Sequence, residues 1–265
     1  MPDTPDIYQS PNVIQRYADG GFGDYAANAS DLRGLRNAMQ YFFPYLNKNV
    51  PRHRTILDAG CATGNLGRSL ARCRPDLHYI GADPSEPMLA AAQKLAAPGA
   101  RFTAARIPGL PFKNDSIPVV VCAGTLWYCD DLFEALADLY RVTSRIMLAE
   151  IMFLPDVDTG CVTTHVVEGI ERKVTIPGHL ELSILMRKLF DIRPFKDLRQ
   201  NNRFTHIEMF AEKSGLPELK GRRVKAFCVI FEKRISASLI KIFNQPEPKK
   251  HEQSEAEPPA SDSPE

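Results

Sequence analysis

The chain has 265 residues, 44% hydrophobic and 25% charged, with a formal net charge of +1. These proportions suit one enzyme-sized globular domain carrying an insertion or a small cap. The even charge balance argues against a strongly electrostatic nucleic-acid or membrane binder and leaves room for a local basic patch. The cysteines at 61, 73, 122, 129, 161 and 228 form no C-x-x-C pair, so no zinc or redox site and no bound metal is expected. No apolar run reaches transmembrane length and the N-terminus is polar, so a soluble, reducing, cytoplasmic setting without a membrane partner is expected.

Residues 1–50 read as an N-terminal helical segment. Ser10-Pro11 opens a helix whose apolar face is Val13, Ile14 and Tyr17, and the run Gly20-Gly21-Phe22-Gly23 ends it. A second helix is predicted from Ser30 through Leu35, Met39, Phe42 and Phe43, stopping at Pro44. From 51 to 154 strands alternate with amphipathic helices, which implies a parallel sheet covered on both faces. Strands are predicted near 54–58, 78–83, 101–104, 117–122 and 145–152. Helices are predicted near 64–73, from Ser85, and at 131–141. Residues 155–204 break this rhythm and read as an inserted, mainly helical cap with one amphipathic helix near 179–190. Thr205-His206-Ile207-Glu208 has the form of a capping box opening a helix. Segments near 219–224 and 226–232 close the core, which resumes over 205–235. Residues 244–265 are Pro-, Glu-, Ser- and Lys-rich and are expected to be a disordered tail.

The chemistry-bearing stretch is Thr55-Ile56-Leu57-Asp58-Ala59-Gly60-Cys61-Ala62-Thr63-Gly64-Asn65. An apolar strand ends in an acid, turns through small residues and opens a helix. Small residues let the backbone approach a ligand, and the helix N-terminus offers unpaired N–H groups. Strand two ends in a second acid, Asp83, placed to accept hydrogen bonds from ribose hydroxyls.

These stretches resemble class I S-adenosylmethionine-dependent methyltransferases. The acid-x-Gly-x-Gly-x-Gly motif of that superfamily reads here as Asp58-x-Gly60-x-Ala62-x-Gly64, and its ribose acid as Asp83. The resemblance implies a Rossmann-like seven-stranded, mostly parallel sheet, with its last two strands as an antiparallel pair. It implies S-adenosyl-L-methionine as cofactor. Asp58, Gly60, Cys61, Ala62, Gly64 and Asn65 would lie along the amino-acid tail, Asp83 at the ribose, and Pro84, Met88, Arg106 and Ile107 around the adenine. Cys122, Ala123 and Trp127 would line the methyl end. Arg106 stands where the superfamily often has an aspartate, and a guanidinium cannot accept from the adenine amino group.

Methyl transfer by in-line displacement mainly needs positioning. A base for the acceptor is sought among Tyr128, His165 and His179, with Glu150 a further acid at the end of strand five. The favoured expectation is a methyltransferase acting on a small organic molecule. A basic stretch, Arg187, Lys188, Arg193, Lys196, Arg199 and Arg203, keeps an RNA or protein substrate open. The Arg106 replacement keeps open a non-catalytic scaffold with the same fold. Oligomeric state is not legible.

Overall fold

The computed structural model describes residues 7–19, 39–167, 170–190, 205–210 and 223–233. These belong to the compact unit Met1–Lys233, and the C-terminal tail expected to be disordered lies outside the described residues. In chain order the elements are α1 (Pro11–Ala18), α2 (Met39–Asn49), β1 (Thr55–Ala59), α3 (Asn65–Cys73), β2 (His78–Asp83), α4 (Glu86–Leu95), β3 (Arg101–Ala104) and β4 (Ile117–Cys122). There follow α5 (Leu132–Val142), β5 (Thr143–Phe153), β6 (Cys161–Val167), β7 (Ile170–Ile176), α6 (His179–Phe190), β8 (Thr205–Phe210) and β9 (Arg223–Glu232).

Seven strands make the main sheet in the order β3-β2-β1-β4-β5-β9-β8. The first five are parallel, and β9 runs antiparallel to both β5 and β8. This is the Rossmann-like architecture expected. Alternation along each strand sends Ile56, Val119, Val121, Ile146 and Leu148 to one face, packed with Phe42, Phe43 and Leu46 of α2 and Leu66 and Leu70 of α3. Leu57, Ala59, Val120, Cys122, Met147 and Ala149 go to the other, against Leu136 and Leu139 of α5 and Leu182 and Met186 of α6. Each such Val, Leu or Ile contributes about 1.5–3 kcal/mol by leaving water. The carboxyl ends of β1, β2 and β4 are thereby held at one edge, where ligands of open α/β sheets bind.

Four expectations are corrected. Pro44 does not stop α2, which runs on to Asn49. The proline removes a helical N–H donor, but buried Phe42, Phe43, Tyr45 and Leu46 on both sides of it anchor the turn. Among its described residues the insertion is not mainly helical: before α6 it forms an antiparallel hairpin, β6–β7, with Val167 opposite Ile170. Its sequence is rich in Val and Thr, strand-favouring residues, on either side of the pair Glu168-Gly169. Thr205–Phe210 is a strand, not a capped helix, because its backbone pairs with β9 from Thr205↔Cys228 to Phe210↔Arg223. A local capping signal is worth about 1 kcal/mol, and a continuous ladder overrides it. The strands predicted at 219–224 and 226–232 are, from Arg223 on, one continuous strand, β9, and the antiparallel pair that ends the sheet is β8 with β9 rather than those two segments with each other; residues 219–222 lie outside the described residues. No helix among the described residues is long and apolar enough to cross a membrane.

Candidate active site

The small-residue loop after β1 is clamped to the end of β2. Gly60 N–H and Cys61 N–H both donate to the Ala82 carbonyl, at 2.7 and 3.0 Å. Ala62 N–H donates to Asp83 Oδ2 at 2.9 Å, and Ser85 N–H to Asp83 Oδ1 at 2.9 Å. Gly60 has φ +83°, and a Cβ there would lie 2.1 Å from Thr125 Oγ1. The loop after β4 therefore presses directly on the loop after β1, and glycine is required on both counts. Ala62 takes φ +46° where the superfamily motif has glycine.

The first cleft lies over this loop. Gly60, Cys61, Ala62, Asn65, Asp83 and Pro84 form its floor, and Ala123, Gly124, Thr125 and Tyr128 one wall. Tyr8, Tyr17 and Arg172 complete its lining, with the Tyr8 ring edge-to-face with that of Tyr128 at 6.0 Å. The N-terminal segment is held there by Ser85 Oγ donating to the Tyr8 carbonyl at 2.9 Å and Asn65 Nδ2 donating to the Tyr17 carbonyl at 3.0 Å. A second cleft adjoins it, sharing Gly60, Pro84, Thr125, Tyr128 and Arg172 and extending along Arg106, Ile107 and Pro108 to Asp130, Asp131 and Glu134. The loop before β4 is fixed by Asp138, whose Oδ2 accepts from Gly109 and Leu110 N–H at 2.7 and 2.8 Å. Arg141 pairs with the same carboxylate at 2.7 Å and reaches the Leu110 and Phe112 carbonyls.

The hairpin supplies the remaining groups. His165 of β6 is the direct cross-strand partner of Arg172 of β7, so both side chains leave the same face. The Tyr128 hydroxyl is 2.7 Å from His165 Nδ1. The Arg172 guanidinium carbon stands 4.5 Å from the centroids of both Tyr8 and Tyr128. Burial, and then the Arg172 charge, lower the His165 pKa from 6.5, which favours the neutral imidazole. Burial raises the Tyr8 phenol well above 10.0, reinforced by the Tyr128 and Tyr17 phenols and opposed by Arg172. The Cys61 thiol is likewise held protonated by burial and by Asp58 and Asp83.

The architecture and the cleft make a comparison with known proteins decisive. Residues 56–145 match a family model described as a methyltransferase domain. This segment is a methyltransferase domain, similar to those of the class I S-adenosylmethionine-dependent superfamily. It is 34% identical to the demethylmenaquinone methyltransferase of Thermus thermophilus over 116 residues, 43% of this chain and 50% of that protein. It is 27% identical to an uncharacterized methyltransferase of Schizosaccharomyces pombe over 139 residues, 49% of each. The chain thus spans about half the length of the curated relatives it matches. The crystal structure of the YcgJ protein of Bacillus subtilis superposes with a TM-score of 0.51 at 14% identity, over 72% of this chain and 97% of that one.

Within this methyltransferase core the expected site residues separate into groups. Gly60, Cys61, Ala62, Asn65, Asp83, Pro84, Ala123 and Tyr128 line the first cleft, and Arg106 and Ile107 the second. Gly64 and Cys122 support the loop and the strand end from behind. Asp58 is 6% exposed, accepts the Tyr79 hydroxyl at 2.7 Å, and does not line either cleft. Met88 is buried beneath α1 beside Val13. Trp127 does not wall the cleft; it packs on the Met152, Leu154 and Val174 cluster beneath the hairpin. His165 stands behind Tyr128, whereas His179 is exposed at the first turn of α6 and is not brought to the clefts. Glu150 is buried within β5. Of the basic stretch, Arg187 and Lys188 are described, with Lys188 Nζ 4.3 Å from the Phe133 ring centroid; residues 193–203 lie outside the described residues. Arg172 and Thr125 were not anticipated. The signal for Arg172 was the strand-like patterning on both sides of Glu168-Gly169, which aligns it with His165 once read as a hairpin.

Proposed function

We propose that the protein transfers a methyl group from S-adenosylmethionine to a small organic acceptor, with Tyr128 and His165 handling the acceptor's proton. The observation that carries this is the Tyr128 hydroxyl, on the wall common to both clefts and 2.7 Å from His165 Nδ1. The residues present fit the cofactor. The Asp83 carboxylate, oriented by the Ala62 and Ser85 N–H groups at the end of β2, is an acceptor of the kind that suits a ribose diol. The backbone of Gly60–Ala62 suits an amino-acid tail, and Pro84 and Ile107 offer apolar contact to a flat base. Arg106 leaves the adenine amino group to backbone acceptors.

Bound S-adenosylmethionine supplies an electrophilic methyl group. The chain's own residues position the acceptor and exclude water: Tyr8 and Tyr17 from the N-terminal segment and Arg172 from the hairpin enclose the cleft. With His165 neutral and its Nε2 protonated, Nδ1 accepts the Tyr128 proton. As Tyr128 passes that proton on, its oxygen takes the proton of an acceptor hydroxyl. The enclosure supports a small acceptor over a folded macromolecule, and the name of the Thermus relative likewise specifies a small acceptor.

Calorimetric titration with S-adenosylmethionine and S-adenosylhomocysteine tests the cofactor half. Saturable binding to the wild type, weakened in Asp83→Ala, is expected. Absence of binding by the wild-type chain would remove the proposal.

A further inference from the structure

One wall of the second cleft is held in place by a helix. We infer that Asp138 and Arg141 of α5 are positioning residues for the base of the cofactor: they hold the backbone of residues 106–108 where its carbonyls accept from the adenine amino group. This rests on the methyltransferase reading and assigns its base specificity to a pair that does not line the cleft.

Three observations lead there. The first is suspension. Ala105 N–H donates to the Asp83 carbonyl at 3.1 Å, and Gly109 and Leu110 N–H donate to Asp138 Oδ2 at 2.7 and 2.8 Å. Between these anchors, Arg106, Ile107 and Pro108 line the second cleft. A base attached to a ribose at Asp83 lies on that side, since Pro84, the next residue, is common to both clefts.

The second is saturation. Arg141 uses all five of its N–H groups. Nε and Nη2 donate to Asp138 Oδ1 at 2.9 and 2.7 Å, and Nη2 also to the Leu110 carbonyl at 2.9 Å. Nη1 donates to the Phe112 carbonyl and to Asn114 Oδ1 at 2.7 and 3.1 Å. Asp138 is 9% exposed, and each group bonded to its two oxygens is a donor. The loop is thus fixed through both its N–H and its carbonyl groups by a planar fork. Glu134, about one turn earlier on the same helix, also lines the cleft, so one rigid element sets two parts of its outline.

The third is need. A carboxylate at position 106 could turn to find the amino group of a base, but the guanidinium of Arg106 cannot accept. The acids of this cleft, Asp130, Asp131 and Glu134, are exposed, and Asp131 already caps α5. The loop then offers its backbone carbonyls. A carbonyl has no rotamer to adjust and points only where its loop is held, so the support decides the contact.

S-adenosylhomocysteine and S-inosylhomocysteine, which carries a carbonyl oxygen in place of the base amino group, test the pair by calorimetric titration of the full chain. The wild type is expected to bind the first roughly tenfold more tightly, because the second sets an acceptor against an acceptor. Asp138→Asn places an amide NH2 among donors and should shrink that ratio to within about twofold, chiefly by weakening S-adenosylhomocysteine. Arg141→Lys keeps a cation beside Asp138 but loses the fork, and should shrink the ratio in part. It reads the same quantity if Asp138→Asn does not fold. The ratio decides, since a merely structural role lowers Tm and weakens both ligands alike. A wild type indifferent to the two ligands overturns the inference, and so does a ratio preserved in the variants. Failure of S-adenosylhomocysteine to bind the wild type is a separate result, and removes the methyltransferase reading itself.

Discussion

Between Thr55 and Pro84, each residue that lines the first cleft lies within a few positions of a strand end. Gly60, Cys61, Ala62 and Asn65 follow β1, and Asp83 and Pro84 close β2. The hairpin works differently. His165 and Arg172 sit inside strands, and they reach the cleft because they oppose each other across β6 and β7. In the first region the backbone itself forms the surface, and side chains are small so that it can. In the second the backbone is remote and long side chains do the reaching. A slip of one residue in the β6–β7 register would put His165 and Arg172 on opposite faces, so that one of them leaves the cleft, whereas the β1 loop has no such dependence.

The largest effect should separate these regions most cleanly. His165→Gln, or Tyr128→Phe, is expected to lower kcat roughly a hundredfold with cofactor affinity intact. The pH profile adds a sign. The folded pKa of His165 is lowered from 6.5, so the neutral base persists below that value and activity falls only as pH drops through the depressed pKa. His165→Gln should remove that acid limb; a limb that survives the substitution would assign it to another group. Because His165 resists protonation when folded, the same shift destabilises the fold as pH falls below 6.5.

Next comes the core. Asp83→Ala should weaken S-adenosylmethionine binding roughly tenfold to a hundredfold, the range for charged hydrogen bonds, and leave the acid limb in place. An Asp83 variant that bound the cofactor normally would break the division of labour. Gly60→Ala should then lower stability by about 1–3 kcal/mol, read as a fall in Tm, because its methyl meets Thr125 at a positive φ. Suppression by Thr125→Ala, which removes the hydroxyl at 2.1 Å and the methyl at 2.6 Å, would be partial, since the φ cost stays.

The smallest effect lies away from both regions. The Arg74 guanidinium, hydrogen-bonded to Asp76, holds that carboxyl down to about 2 from 3.8. The pair therefore contributes stability above 3.8 that is lost as pH falls through about 2. Asp76→Asn should cost no more than about 1 kcal/mol at neutral pH and flatten that acid transition in a denaturation series.

The core was legible because its signals are local. Apolar runs, the turn Gly60–Gly64, the acid Asp83 and the cap Ser85, which does accept the Met88 N–H, each act within a few residues. The insertion was not, since its meaning depends on a register between two strands. His165 could be singled out as a base by residue type, but its partner could not, and Arg172 looked like any other surface arginine between Glu171 and Lys173. Asp58 shows the converse limit. The motif assigned it to the cofactor, and in the fold it is buried and accepts the hydroxyl of Tyr79, on a neighbouring strand, which no local signal announced. At Thr205 a good local signal pointed to a helix, and pairing with β9 decided otherwise.

The attachment of the N-terminal segment carries a consequence for how such a site can diversify. Ser85, Asn65 and Arg68 hold it by donating to the carbonyls of Tyr8, Tyr17 and Ala18. Those fastenings read backbone and are indifferent to the side chains they secure. Substitutions at Tyr8 or Tyr17 can therefore redraw the ceiling over a bound molecule while the ceiling stays in place. Acceptor preference can drift through the cover of this fold, generation by generation, without reopening the question of how the cover is closed.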